Sequence, residues 1–354
     1  MTDTRTGLAN LVDTVVKEDG SDIHISENRR PVLRVSGSLI PLVKEQPVSK
    51  TDVLAIIDEL LKPEQKQSFL EKKEIDFAYD ADGKARFRGN AYFQQGEIAI
   101  SLRLIPKKIR SFQELNLPAP LETFANRQQG FFLVVGPTGH GKTTTLATMI
   151  DTINSSRLEH IITIEDPIEY IHTPKKSIID QREIGNDTPN FHKALRGVFR
   201  QDVDVVMIGE MREPETMSTA VTAAETGHFV LSTLHTNNAA QTIDRIIDSF
   251  PASQQNQIRY QLAGSLAGIF SQRLIPRVSG GLIPAYELLI SNSAVSNLIR
   301  EGRTHEINTI VETSSQDGMI DLNRSLADLV RRGEITAENA YRFSLNTKTL
   351  EKFL

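Results

Sequence analysis

Phe131-Phe132-Leu133-Val134-Val135-Gly136-Pro137-Thr138-Gly139-His140-Gly141-Lys142-Thr143 decides the reading of this chain. The five leading apolar residues read as a buried strand, and Thr144-Thr145-Leu146-Ala147-Thr148-Met149-Ile150 continues as a helix. Between them lies a full match to G-x-x-x-x-G-K-[ST], in the strand-to-helix context that its chemistry requires. Glycines let the backbone turn so tightly that successive N–H groups point at phosphate oxygens, and the following helix adds the partial positive charge of its N-terminus. Gly136, Pro137, Thr138, Gly139, His140 and Gly141 form this cradle, with Thr144 just beyond it. Lys142 then reaches the β- and γ-phosphates, and the Thr143 hydroxyl holds Mg²⁺. His140 is expected to point outward from a loop that works through its backbone. The stretch is a nucleoside triphosphate site.

The 354 residues are enough for two domains with real cores. A net charge of -5 makes nucleic acid an unexpected partner. There is no cysteine, which removes disulfides, thiolate catalysis and cysteine-ligated zinc. No apolar run approaches the roughly 20 residues of a membrane helix, and Met1-Thr2-Asp3-Thr4-Arg5 opens no signal-peptide core. A soluble protein is expected.

Helical spacing of Leu8, Leu11, Val12, Val15 and Val16 predicts an opening helix, followed by strands at 22–26, 31–35 and 39–43, with a turn at Ser36-Gly37-Ser38. Val53 to Leu61 reads as a second helix, and Pro63 starts a third. Antiparallel strands at 75–79, 85–93 and 97–104, turning at Asp82-Gly83 and Gln95-Gly96, complete a small α+β domain over 1–104. Residues 105–120, with Pro106, Pro118, Pro120 and the basic run Lys107-Lys108-Ile109-Arg110, read as a linker. From 121 to 354 strands alternate with helices, the mark of an α/β domain with a mostly parallel sheet. Strands are expected at 160–165, 203–208 and 228–234, and helices at 191–200 and 214–225. The part beyond residue 238 reads as mostly helical, including a helix from Ser253 to Leu274, with one more strand at 286–290.

Ligands of an open α/β sheet sit beyond the carboxyl ends of its strands. Glu210 follows an apolar run there, where a carboxylate can hold Mg²⁺ through water or orient the attacking water. Glu165, Asp166 and Glu169 crowd the end of a neighbouring strand, and such acids need a cation or donors beside them. His235 ends a strand among hydrogen-bonding residues, where a γ-phosphate sensor and a structural role weigh equally; for His228 the structural role leads. Arg86, Arg88 and Arg103 on the N-terminal strands read as surface residues, or as arginine fingers should that domain cap a neighbouring copy's nucleotide.

Taken in order, Gly20-Ser-Asp-Ile-His-Ile-Ser26, Arg86-Phe87-Arg88, Leu102-Arg103-Leu104-Ile105-Pro106, the phosphate loop, Ile164-Glu-Asp-Pro-Ile-Glu-Tyr170, Gly209-Glu-Met-Arg212, Ala224-Glu-Thr-Gly-His228 and Leu234-His-Thr-Asn237 resemble the secretion ATPase superfamily. The resemblance spans nearly the whole chain and is nearest to the type IV pilus retraction ATPases, the PilT family. It implies a PAS-like N-terminal domain and a RecA-like ATPase domain in a homo-hexamer that hydrolyses ATP with Mg²⁺. It further implies work on an inner-membrane pilus platform protein from the cytoplasmic face, in company with paralogous pilus ATPases. Residue by residue, it makes Lys142 and Thr143 Walker A residues, Glu210 the Walker B glutamate, and Glu169 the general base beside Glu165 and Asp166. His228 and His235 match the histidine box, and Arg88 and Arg103 the fingers offered to an adjacent subunit.

The absence of cysteine and the stretch Ala294-Val295-Ser296-Asn297-Leu298-Ile299-Arg300-Glu301 favour retraction over pilus assembly or type II secretion. That stretch resembles the Ala-Ile-Arg-Asn-Leu-Ile-Arg-Glu motif associated with retraction; against the family's pattern, Val295 and Ser296 depart from that motif, His140 and Thr143 both replace serines, and Gln201 and Val203 differ from the usual Glu and Pro. The remaining rivals are a RecA-like motor on DNA, disfavoured by the acidic balance, and a nucleotide-bound regulatory scaffold, disfavoured by the intact set of acids and lysine.

Overall fold

Residues 4–35, 37–105 and 108–354 are described by a computed structural model. The expected turn position Ser36, the linker residues Pro106 and Lys107, and the first three residues lie outside them. Two units are described separately: Met1–Lys108 with Pro167–Ile171, and Ile109–Asp166 with His172–Leu354. The change from one unit to the other falls between Lys108 and Ile109, inside the stretch expected as a linker over 105–120, and the short segment Pro167–Ile171 is grouped with the first unit.

An antiparallel sheet covered by helices on one face builds the first unit. It runs α1 (Thr4–Lys17), β1 (Gly20–Ser26), β2 (Val32–Val35), β3 (Ser38–Pro41), α2 (Lys50–Leu60), α3 (Pro63–Lys72), β4 (Glu74–Ala81), β5 (Ala85–Gln94) and β6 (Glu97–Ile105). In β5, Ala85, Phe87, Gly89 and Ala91 turn inward while Arg86, Arg88 and Asn90 turn outward. The antiparallel sheet has the order β3-β2-β1-β6-β5-β4. Its apolar face, with Ile23, Ile25, Phe87 and Leu102, packs on Leu8, Leu11 and Val15 of α1 and Val53, Ile56 and Ile57 of α2. Asp82-Gly83 and Gln95-Gly96 take positive φ throughout, as tight hairpin turns require. A capping box between Ser49 and Asp52 starts α2.

The second unit contains α4 (Pro120–Ala125), β7 (Gly130–Val135), α5 (Lys142–Ser156), β8 (His160–Glu165), β9 (Ile178–Glu183), α6 (Phe191–Val198), β10 (Val205–Ile208), α7 (Pro214–Glu225) and β11 (Phe229–Leu234). It continues with α8 (Ala239–Asp248), α9 (Ala252–Ser265), β12 (Leu266–Pro276), β13 (Leu282–Ile290), α10 (Ser293–Glu301), α11 (Ile307–Thr313), α12 (Leu322–Arg331), α13 (Ala337–Phe343) and α14 (Thr347–Glu351). The sheet order is β13-β12-β7-β11-β10-β8-β9, parallel except for β13. Strands buried on both faces read as continuous apolar runs. In β7, Phe131, Leu133 and Val135 join Val221, Ile243 and Leu262 on one side, while Phe132 and Val134 join Phe124, Leu146 and Met149 on the other.

The helix expected from Ser253 to Leu274 is corrected: it ends at Ser265, and Leu266–Pro276 is a strand between β7 and β13. There the strand's backbone groups are paired on both sides, and Ile269 and Phe270 are fully buried. Gly268 admits this close packing, since a Cβ would lie 2.8 Å from the Leu289 carbonyl and 2.9 Å from the Phe124 ring. The strand β9 and helices α11 and α14 carry no expectation from the sequence. No helix among the described residues is long and apolar enough to cross a membrane.

Candidate active site

Register places the chemistry on one edge. Val135 of β7 lies beside Leu234 of β11, and Ile208 of β10 lies between Ser232 and Ile164. The phosphate loop, His235, Glu210, Glu165 and Asp166 therefore leave the same carboxyl edge of the second unit's sheet. The loop backbone has the left-handed geometry its glycines allow, with φ of 144° at Gly136 and 80° at Gly141. A Cβ on Gly136 would stand 2.3 Å from the Gln272 carbonyl oxygen, so only glycine fits against β12.

Lys142 opens α5 and is 8% exposed. Its ammonium donates to the carbonyls of Gly136 at 2.8 Å and Pro137 at 3.0 Å, and lies 3.4 Å from His235 Nδ1. Thr138 Oγ1 is 3.3 Å from the same nitrogen. These donors assign Nδ1 as acceptor and the ring proton to Nε2, which faces Glu210 Oε2 at 3.8 Å. Burial, and then the charge of Lys142, hold the His235 pKa below its ordinary value, so the ring is neutral near pH 7. Glu210 also forms an ion pair with Arg212 at 2.8 Å. A lysine for phosphates, a neutral imidazole and a carboxylate thus stand in one line at the loop.

Glu165 is buried and accepts from Thr163 Oγ1 at 2.6 Å and Gln181 Nε2 at 3.2 Å. The crowding expected for Glu165, Asp166 and Glu169 is divided between units, because Glu169 belongs to the first and pairs there with Arg88 at 3.3 Å. Arg103, also in the first unit, uses Nε to bond the buried Asp22 at 2.9 Å, while its side chain is 68% exposed. That leaves much of the guanidinium facing outward.

One expectation, the outward-pointing His140, is corrected, and His228 takes the structural role its residue reading favoured. His228 precedes β11, beside the start of β7, so roughly 17 Å of strand separates it from the phosphate loop of the same chain. Its Nδ1 bonds the Ala223 carbonyl at 3.0 Å and its ring meets Phe199 edge-on, a structural role. His140 does not point outward: its Nδ1 accepts from the Leu274 N–H at 2.9 Å, and its ring approaches Phe343. Gln272, Arg273 and Glu287, which contact the loop and the segment after β11, went unnoticed because their surroundings read as helix or as an isolated strand.

The family model "Type II/IV secretion system protein" matches residues 5–342. The "type IV pilus retractation ATPase PilT" of Pseudomonas aeruginosa is 40% identical over 333 residues, covering 94% of this chain and 96% of that protein. A "twitching motility protein" of Neisseria gonorrhoeae is 41% identical over 321 residues, 90% of this chain and 86% of that one. The crystal structure of the pilus retraction motor PilT with bound ADP superposes with a TM-score of 0.90 at 42% identity, covering 97% of this chain and 98% of that one. With its N-terminal α+β domain, RecA-like sheet and phosphate loop, this chain belongs to the type II/IV secretion system protein family and is a nucleotide-binding ATPase of the PilT group.

Proposed function

We propose that this ATPase is a type IV pilus retraction motor, working as a homo-hexamer at the cytoplasmic face of the inner membrane on a pilus platform protein, alone or beside paralogous pilus ATPases. The observation that carries the reading is the end-to-end likeness to PilT together with the Lys142, His235 and Glu210 line at the phosphate loop.

In this reading Lys142 exchanges its loop carbonyls for the β- and γ-phosphates of ATP, and the backbone of residues 136–143 wraps them. Mg²⁺ suits the donors present. No cluster of three or more His, Asp or Glu able to hold a metal occurs among the described residues, and Mg²⁺ takes few protein ligands, keeping waters and phosphate oxygens instead. Thr143 and Glu210 would hold it, Glu210 through water, and the ion would supply charge neutralisation at the phosphates. His235 Nε2–H orients the Glu210 carboxylate. Glu165 and Asp166 line the same edge, and Glu169 takes the proton of the attacking water. Arg88 and Arg103 reach the nucleotide of an adjacent copy. For either Arg88 or Glu169 to act, their mutual pair must part; being half-exposed, it resists by only about 0.2–1 kcal/mol.

The test is live imaging of labelled pili in cells of the source organism lacking the gene. Abundant pili that no longer shorten are expected. Bald cells would move the assignment to pilus assembly, and an unchanged pilus population would overturn it.

A further inference from the structure

The segment Ser271-Gln272-Arg273-Leu274 of β12 runs past the phosphate loop and bonds two functional elements at once. Successive side chains of a strand point to opposite faces. On one face the Gln272 carboxamide, 3% exposed, lies between loop and helix: Oε1 accepts from Thr145 Oγ1 at 2.6 Å, and Nε2 donates to the His140 carbonyl at 2.9 Å. The Gln272 main-chain carbonyl backs Gly136, and the Leu274 N–H donates to His140 Nδ1 at 2.9 Å. On the other face, Ser271 Oγ donates to the Asn237 carbonyl at 2.8 Å and Arg273 Nη2 to Asn237 Oδ1 at 2.9 Å. Asn237 closes the segment that carries His235.

We infer that this strand segment sets the spacing between Lys142 and His235, with Gln272 as a positioning residue for the phosphate loop. The loop is fixed to β12 at both ends, at Gly136 and at His140–Gly141, and the His235 segment is fixed to the same four residues from the opposite side. Two separate pieces of chain thereby share one reference strand, and Lys142 Nζ meets His235 Nδ1 at 3.4 Å. A buried carboxamide suits this task, because its donor and acceptor lie in one plane at fixed separation and bonds in a dry interior tolerate little drift. Both polar atoms of the buried Gln272 side chain are engaged by Thr145 and the His140 carbonyl, so it acts through the loop. The inference rests on the ATPase chemistry of the site and not on pilus retraction, so an unchanged pilus phenotype would leave it standing.

The experiment measures ADP affinity by calorimetry with Mg²⁺ present, and steady-state ATP hydrolysis, on the full-length chain. Gln272→Leu removes both carboxamide bonds, and Thr145→Val removes the Oε1 bond alone. Each is expected to weaken ADP binding, Gln272→Leu by about tenfold, the scale of a lost buried hydrogen bond. Both should lower kcat/KM at least as much. The double variant should be no worse than Gln272→Leu, since both changes break the same bond. Ile275→Val, a fully buried site on the same strand outside the loop contacts, serves as the stability control and should lower the melting temperature while leaving ADP affinity unchanged. Wild-type ADP affinity in folded Gln272→Leu and Thr145→Val, or an equal loss in Ile275→Val, would overturn the inference. If Gln272→Leu fails to fold, Thr145→Val decides by the same criterion.

Discussion

A protonated His235 would place a third cation beside Lys142 and Arg212, and the structure avoids it by keeping the imidazole neutral. Burial disfavours the charged form of Glu287 as well, but for an acid that shifts the pKa the other way. This side chain is 6% exposed, and burial pushes its pKa up to about 7, only partly offset by the Ala239 N–H it accepts at 2.7 Å and by Arg273. A carboxyl group whose pKa is raised on folding holds its proton more tightly in the native state. Stability is therefore fullest below the ordinary value near 4.5 and is lost as pH rises through about 7. Glu287→Gln keeps the acceptor for Ala239 and removes the titration. The variant should gain on wild type by up to about 1.4 kcal/mol per pH unit across that window. Denaturant midpoints at about pH 5 and about pH 8 measure the difference; an equal gap at both values would show that Glu287 does not titrate there. The sequence offered no hint of this residue, because burial of an acid depends on β12 and α8 closing around it. Lys142, Thr143, Glu210 and His235 were legible because each stands next to its own strand signal. His228 precedes its strand, which in a parallel sheet places it at the amino edge, in keeping with the structural role that its residue reading favoured over the histidine-box match.

At the scale of elements, the phosphate loop is a piece of backbone wedged against β12. Gly136 and Gly139 both have positive φ, at 144° and 80°, but their surroundings differ. A Cβ on Gly139 meets nothing within 4 Å, whereas one on Gly136 lands 2.3 Å from the main chain of Gln272. Gly139→Ala should cost only backbone strain, about 1–3 kcal/mol. Gly136→Ala adds an overpacking cost of similar size, because a sheet backbone cannot step aside as a side chain can. The expected result is a larger drop in thermal midpoint for Gly136→Ala and no measurable ADP binding, while Gly139→Ala retains binding; equal midpoints would refute the wedge. The motif announced this loop but not its anvil. Leu262 to Leu274 has no proline, asparagine or aspartate and no clear alternation, so a buried strand following a helix reads as more helix. The hairpin turns and α7, opened by Pro214, were legible because their signals are local. Helix α10, singled out for its retraction-like motif, turns Val295, Leu298 and Ile299 inward, and Ser296 Oγ bonds the Ala263 carbonyl of α9 at 2.9 Å. The departure at Ser296 thus has a packing role of its own.

For the molecule as a whole, the proposed residues are split between two units: Lys142, His235 and Glu210 in one, Arg88, Arg103 and Glu169 in the other. Arg103 is anchored through Nε by the buried Asp22 while the side chain stays 68% exposed, the stance of an arginine presented to an outside anion. In a ring built by head-to-tail contacts, each copy shows one face to the next, so a finger on one face can serve the phosphate loop opposite it. If that is how the ring works, loss of Lys142 and loss of Arg103 damage different halves of each site. Lys142→Ala and Arg103→Ala homo-oligomers should both be inactive, with Arg103→Ala still binding ADP nearly as tightly as wild type. Co-expressed at equal amounts, the two variants should regain turnover, because an Arg103→Ala copy with an intact loop can sit beside a Lys142→Ala copy with an intact arginine. Random assortment produces that pairing at about a quarter of the interfaces. Activity near that fraction of wild type is expected when the sites act independently, and less when neighbouring sites must fire together. Mixed rings as inactive as either parent would sink the trans-acting arginine, as would full turnover in Arg103→Ala alone.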